Sequence, residues 1–136
     1  MRLVVWDTKD VIASDIEGTS DTFIRAFFDT KDSKETDTHY RCTTGKASFN
    51  YRLLFKVNAP TNNYNLTLQA WDRDFFKSND LIGDATFDLK HLFEDVIETN
   101  RSLALNKKYY NSYLKGVLPP DVKLDFEDDD SFWIVC

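Results

Sequence analysis

"WDRDFFKSNDLIG", residues 71–83, joins two strand-like segments through an acidic loop. Before it, residues 66–71 alternate with the period of two that is typical of a half-buried strand. After it, Leu81–Asp88 also has strand composition. Because the loop has aspartates at positions 72, 74 and 80, it places three carboxylates at the end of a predicted strand.

A second acidic stretch, Asp15-Ile-Glu-Gly-Thr-Ser-Asp21, is also predicted to lie in a loop at a strand end. Carboxylates are hard, anionic oxygen donors, and Ca²⁺ binds roughly six to eight such oxygens at about 2.3–2.6 Å. If the two loops do not converge, they form only a solvated acidic surface. If they converge, they form a calcium site from five carboxylates: Asp15, Asp21, Asp72, Asp74 and Asp80.

Repulsion between crowded carboxylates favours the interpretation of the two acidic stretches as a metal site. Two carboxylates about 4 Å apart repel by about 1 kcal/mol in water and by about 4 kcal/mol in a partly shielded site. A lone Asp-x-Asp would be an ordinary solvated loop, but here two acidic clusters each lie at a strand end. The sequence therefore predicts that a cation neutralises them.

The rest of the chain predicts an all-β fold. Its 136 residues, 42% of them hydrophobic and 15% aromatic, favour one domain over residues 1–136. Short strands separated by turn residues are typical of an antiparallel β-sandwich. The predicted strands are residues 3–6, 22–28, 36–42, 51–57, 66–71, 81–88 and 131–136. A change to helical spacing predicts a short helical insert near residues 89–115, and the acidic run at residues 125–130 indicates a surface loop.

Several other functions do not fit the residue spacing. An EF-hand that began at Asp72 would place Phe76 and Lys77 where an oxygen ligand and a glycine are required. Gly45-Lys46 lacks the earlier glycine of a phosphate-binding loop. The only two histidines lie near no matched nucleophile motif, so we do not expect an enzyme.

Charge and composition limit the partners and the compartment. A net charge of −6 argues against a nucleic-acid surface, and it would repel an anionic membrane unless bound calcium reversed the charge locally. The two cysteines form no zinc-like pair and favour a reduced, intracellular setting. Because neither a signal peptide nor a membrane-spanning run is visible, the chain is expected to be soluble.

Apolar residues at the predicted loop tips indicate a membrane contact. Phe75 and Phe76 lie at the tip of the second loop, and Ile16 lies at the tip of the first. Adjacent exposed aromatic side chains are typical of binding surfaces. The alternative is that the two phenylalanines fold over their own loop as a local lid.

Both acidic loops resemble those of a C2 domain. "DIEGTSDTF", residues 15–23, is similar to the first calcium loop of that family, and residues 71–83 are similar to its third loop. The resemblance covers nearly all of residues 2–88 and implies an eight-stranded antiparallel β-sandwich. It implies two or three Ca²⁺ ions, held by Asp15, Asp21, Asp72, Asp74, Asp80 and the backbone carbonyl of Arg73. In this arrangement Asp72 and Asp74 bridge adjacent ions.

Three further segments are similar to the carboxy-proximal C2 domains of ferlins: "VVWDTKDVI" (residues 4–12), "KETDTHYR" (34–41) and "GKASFNYRLLF" (45–55). Ferlins are large, tail-anchored proteins of vesicle fusion and membrane repair with several C2 domains in tandem. The resemblance implies that this chain is a module of a membrane-anchored parent and acts on the cytosolic side of membranes. It also implies the type II strand order, in which a last strand would follow Cys136.

Two functions follow from this resemblance. The first is calcium-dependent docking on anionic phospholipid membranes, with Phe75, Phe76 and Ile16 inserting into the bilayer. The alternative is a calcium-insensitive module that binds a protein partner through an open sheet edge or through the insert at residues 89–130.

Overall fold

The computed structural model describes residues 1–12 and 18–135. Among these residues the strands are β1 (Arg2–Thr8), β2 (Ser20–Phe27), β3 (Lys34–Glu35), β4 (His39–Cys42), β5 (Ala47–Leu54), β6 (Asn65–Asp72), β7 (Asp80–Asp88), β8 (Lys123–Phe126) and β9 (Phe132–Val135). The helical segments are a 3-10 turn (Thr30–Asp32), α1 (Lys90–Thr99), and α2 (Lys107–Tyr109), which continues as a π-helical turn (Tyr110–Leu114). The predicted all-β class with a short helical insert is confirmed.

A five-stranded sheet supplies the strand ends that carry the acidic residues. Its order is β3-β2-β6-β7, and β4 also pairs with β2. Both pairings of β2 with β3 and β4 are antiparallel. The side chains of Thr22, Phe23 and Ala26 in β2 are buried, which fits a strand with neighbours on both edges. β2 is therefore the central strand that its apolar composition predicts.

β1 and β5 form a second, two-stranded antiparallel sheet. Its register shifts between Val5 and Asp7, and Asn50 lies at this shift in the left-handed conformation, with φ of 47°. Such a β-bulge sets two residues of one strand against one residue of its partner. Among the described residues β1 pairs only with β5. The type II strand order stays a prediction.

Gly45 fixes the chain next to the first acidic loop. The N–H of Val11 donates to the Gly45 carbonyl at 3.2 Å. The φ of Gly45 is +66°, and a Cβ at this position would lie 2.6 Å from the backbone N and O of Val11. Only glycine fits this close approach.

The carboxy-terminal region differs in one respect from the prediction. β8 and β9 pair in antiparallel register from Lys123 opposite Val135 to Phe126 opposite Phe132. The assignment of residues 125–130 to a loop is therefore wrong for Asp125 and Phe126, which belong to β8. Phe126 packs against Phe132 with ring centroids 5.0 Å apart, and this cross-strand contact overrides the acidic composition.

The chain divides into two compact units, each with its own buried residues. The first unit is Met1–Asn58 and Leu68–Asp84, and it buries Phe23, Ala26, Ala47, Phe49, Leu53 and Phe55. The second unit is Ala59–Thr67 and Ala85–Cys136, and it buries Leu66, Phe87, Leu89, Tyr109, Leu114, Val122 and Leu124. The described aspartates of both acidic loops belong to the first unit. One domain over residues 1–136 stays a prediction.

Candidate functional site

The two acidic stretches meet in the structure. The N–H of Asp21 donates to Asp72 Oδ1 at 2.6 Å, although the two residues are 51 positions apart in the sequence. The N–H of Arg73 donates in turn to the carbonyl of Asp21 at 2.9 Å. The start of β2 and the end of β6 therefore lie side by side, joined by these two hydrogen bonds.

Backbone groups orient both of these carboxylates. Asp72 is only 1% exposed, and its Oδ1 accepts the hydrogen bond from Asp21. Asp21 Oδ1 accepts a hydrogen bond from the N–H of Arg41 at 2.7 Å. Arg41 has a positive φ of 55° at the register shift between β2 and β4, so this bulge aims its N–H at the carboxylate.

The loop after β6 carries an ammonium between two carboxylates. Lys77 Nζ lies 2.9 Å from Asp80 Oδ2 and 3.5 Å from Asp74 Oδ2. The hydrogen bond with Asp80 and the negative charge of Asp74 raise the pKa of Lys77. Asp74 Oδ2 is buried and has no hydrogen bond among the described residues, and the N–H of Asp74 donates to Asn79 Oδ1 at 3.0 Å.

The side chain of Arg73 anchors the residue between Asp72 and Asp74. Its Nη2 lies 3.0 Å from Glu35 Oε2, and its Nε donates to Thr38 Oγ1 at 2.8 Å. The guanidinium carbon also lies 4.2 Å from the centre of the Phe23 ring, at cation–π distance. The sequence predicts a role only for the carbonyl of Arg73, whereas the structure gives its side chain a positioning role.

Glu35 holds two arginines at once. Arg25 donates to Glu35 Oε1 from Nε at 3.0 Å and from Nη2 at 2.6 Å, while Arg73 contacts Oε2. Partial burial raises the pKa of Glu35, but the hydrogen bonds and positive charges of the two arginines outweigh it and hold that pKa below its usual value. The ionised carboxylate is therefore the form that stabilises the fold.

We expect Glu35→Gln to destabilise the domain by about 1 kcal/mol at pH 7, allowing for solvent screening of the partly exposed ion pairs. A carboxyl group with a lowered pKa in the folded state contributes stability at pH values above its pKa in the unfolded state. It loses this contribution as the pH falls through its pKa in the folded state. The difference from wild type should therefore shrink below about pH 4.5. Urea unfolding at pH 7 and pH 3 measures this, with the exposed Glu94→Gln as control; a difference that does not change with pH would contradict it.

The aromatic tip of this loop is exposed. Phe76 is fully solvent-accessible, at 103% of its reference area, and Phe75 is 73% exposed. Phe75 stacks on Tyr40 of β4, with ring centroids 6.0 Å apart and an interplanar angle of 14°. Tyr40 is itself 58% exposed. A local lid is therefore wrong for Phe76, and Tyr40 is a third aromatic residue at this tip, which no local sequence pattern predicts.

The remaining predicted site residues lie outside the described part of the chain. Asp15 and Ile16 fall between residues 12 and 18, so the predicted ligand set is described only in part. Within residues 1–12 and 18–135, no group of three acidic, histidine or cysteine side chains converges closely enough to hold a metal ion. The structure instead shows two linked pairs: Asp21 with Asp72, and Asp74 with Asp80 through Lys77.

The donor chemistry of these residues fits calcium. The four described aspartates of the two acidic loops offer carboxylate oxygens, the donors that Ca²⁺ prefers, and Asp74 Oδ2 is a buried oxygen without a hydrogen bond among the described residues. Asp72 and Asp21 each accept a backbone N–H at Oδ1, so backbone groups fix the orientation of both carboxylates.

Comparison with known proteins agrees with this architecture. The C2 domain family model matches residues 1–105, so the chain belongs to the C2 domain family. A C2 domain of a plant extended synaptotagmin 1 is similar in fold, with a TM-score of 0.56 and 20% identity over 65% of this chain and 67% of that one. A C2 domain of RIM from Drosophila has a TM-score of 0.55 and 16% identity over 66% of this chain and 75% of that one.

Among curated proteins, the chain is similar to ferlins. Ferlin 1 of Toxoplasma gondii is 39% identical over 93 residues, covering 65% of this chain and 6% of that protein. Human myoferlin is 27% identical over 119 residues, covering 67% of this chain and 6% of that protein. The predicted similarity to ferlin C2 domains is confirmed, and the chain spans only about 6% of the length of these relatives.

Among the described residues, none of the helices has both the length and the apolar character that crossing a bilayer requires.

Proposed function

We propose that this chain is a calcium-dependent phospholipid-binding module that docks on anionic membranes. One observation supports this most strongly: the direct hydrogen bond from Asp21 to Asp72 brings two acidic segments together next to an exposed aromatic loop. Because Asp72, Asp74, Phe75 and Phe76 lie within five consecutive residues, the cation site and the apolar tip belong to one loop. An ion and a bilayer can therefore be bound by the same end of the β2 and β6 strands.

In this proposal the carboxylates of Asp21, Asp72, Asp74 and Asp80 hold two or three calcium ions, together with Asp15 and the carbonyl of Arg73. Bound calcium supplies positive charge and open coordination positions for lipid phosphate oxygens. The protein contributes the orientation: backbone N–H groups fix Asp21 and Asp72, and the contacts of Arg73 with Glu35 and Thr38 fix the chain between two ligands.

The apolar tip provides the second part of membrane binding. The exposed side chains of Phe75 and Phe76 bury apolar surface when they enter the bilayer, and full burial contributes about 1.5–3 kcal/mol for each. Ile16 is proposed to insert from the first loop. Neutralising the acidic loop is a precondition, since a net charge of −6 otherwise disfavours approach to an anionic surface.

The ferlin relatives support a role for this chain within a larger protein. Since the curated matches are ferlins, we propose that the chain serves as one C2 module of a ferlin-like protein of vesicle fusion or membrane repair, at the cytosolic face of a membrane. Its role there is binding and not catalysis.

Sedimentation with liposomes tests this function. Vesicles of phosphatidylserine and phosphatidylcholine should pellet the protein in the presence of Ca²⁺, and release it when a calcium chelator is added. Vesicles of phosphatidylcholine alone should retain much less protein, because they lack the negative charge that calcium bridges. Equal binding with and without Ca²⁺, or no binding in either case, would contradict the proposal.

A calcium-insensitive protein-binding module is the competing function. It is favoured by the position of Lys77, which already provides a positive charge between Asp74 and Asp80. The second compact unit also has a cavity of about 430 Å³ lined in part by His91, Tyr113 and Val117, which could receive a partner. Thermal melting separates the two functions, since a ligand that binds only the folded state raises the melting temperature. No shift with Ca²⁺ would favour the protein-binding function.

A further inference from the structure

Lys77 takes the position of a cation within the acidic loop. Its Nζ lies within 3.5 Å of one oxygen each from Asp74 and Asp80, which stand three residues before and three residues after it. The Asp74 side chain is only 14% exposed, and Lys77 provides the positive charge beside its buried Oδ2. The ammonium of Lys77 thus compensates a carboxylate that is largely removed from water.

We propose that Lys77 is a built-in counter-ion that calcium must displace, so that this residue sets the calcium concentration at which the domain responds. The proposal rests on the proposed function, because it concerns the affinity of the same loop for calcium. It goes further in naming one residue, outside the ligand set, that weakens calcium binding. Removing the charge of this residue should therefore raise the affinity for calcium, whereas the mere loss of a structural contact would not.

The physical reason is that Lys77 and calcium are cations that compete for the same two carboxylates. Calcium needs carboxylate oxygens at about 2.3–2.6 Å, whereas Asp80 Oδ2 is engaged by Lys77 at 2.9 Å. An ammonium left a few ångströms from a divalent ion would also repel it. Because of this repulsion, we expect calcium binding to displace Lys77 from both carboxylates and to move its side chain toward solvent, where 57% of its area is already accessible.

Lys77→Gln tests the proposal, because glutamine keeps a polar side chain and removes the charge. We expect it to bind Ca²⁺ on the order of tenfold more tightly than the wild type, as judged by calorimetric titration without lipid. Lys77→Arg keeps the charge and should stay near the wild-type affinity. Lys77 is more than half exposed, so neither variant is expected to disturb the fold, and melting without Ca²⁺ checks this.

Lys90→Gln is the matched control. Lys90 is 56% exposed and lies 3.9 Å from Glu94 Oε1, so this variant also removes one exposed, carboxylate-paired ammonium from the chain. Its calcium affinity should match the wild type.

The outcomes separate this proposal from the proposed function. The Lys77 proposal is supported if Lys77→Gln binds calcium more tightly than the wild type and Lys90→Gln does not. It is also supported if Lys77→Gln binds calcium and the wild type shows no binding. Wild-type binding that Lys77→Gln leaves unchanged or weakens would overturn this inference alone, as would equal tightening by Lys90→Gln. Absence of calcium binding by all the proteins would overturn the inference and the proposed function together.

Discussion

Replacing Asp72 and Asp74 together by asparagine is expected to abolish calcium-dependent binding to anionic liposomes and to leave the domain folded. The variant loses two anionic ligands, and the neutral amide oxygens that replace them bind Ca²⁺ far more weakly. An asparagine at position 72 keeps an oxygen that can accept the hydrogen bond from the Asp21 N–H. It also removes a charge from a site that is 1% exposed, so unfolding is not the expected cause of the loss.

Liposome sedimentation over a range of Ca²⁺ concentrations measures this effect, and we expect affinity to fall by on the order of 100-fold or more. Asp129→Asn with Asp130→Asn is the matched control, because it makes the same change in net charge at exposed positions in the second compact unit. Binding that survives the Asp72 and Asp74 changes, or that is lost equally in the control, would show that these carboxylates hold no calcium.

Replacing Phe75 and Phe76 by serine should separate calcium binding from membrane binding. Phe76 is fully exposed, and Phe75 contacts Tyr40 only through a stacked ring, so their removal is not expected to unfold the domain. Two inserted side chains would contribute about 3–6 kcal/mol at full burial. Liposome affinity at saturating Ca²⁺ should therefore fall by on the order of 100-fold or more, while the calorimetric calcium affinity without lipid should stay the same.

The control for this variant removes exposed apolar side chains elsewhere. Ile97 and Val117 are 58% and 69% exposed and lie in the second compact unit, so changing both to serine removes comparable surface away from the loop. If the variant without the two phenylalanines binds liposomes like the wild type, calcium bridging alone would explain the membrane binding. An equal loss in the control would indicate general adhesion of apolar surface.

Strand periodicity predicts much of this fold because local patterns determine burial. The apolar run at residues 22–28 predicts a central strand, and β2 is paired at both edges. The alternation at residues 66–71 predicts β6, which ends at Asp72 as expected. The meeting of Asp21 with Asp72 could be anticipated only from the resemblance to C2 domains, because no local pattern relates positions 51 residues apart.

Other features could not be predicted, since they depend on side chains that meet only after folding. Glu35 and Arg73 are 38 positions apart, and their ion pair has no periodic signal. The contact of Tyr40 with Phe75 likewise joins two separate segments of the chain. The acidic composition around Asp125 and Phe126 predicts a loop, because one aromatic residue gives little strand signal. Pairing with β9 stabilises the strand that the structure shows there.

A crystal structure of the domain grown with Ca²⁺ tests the central claim most directly. We expect ions within about 2.3–2.6 Å of carboxylate oxygens from Asp21, Asp72 and Asp74, with Lys77 turned away from Asp74 and Asp80. Ions bound only at other acidic positions, or Lys77 still seated between those two carboxylates with no ion beside Asp72, would contradict it.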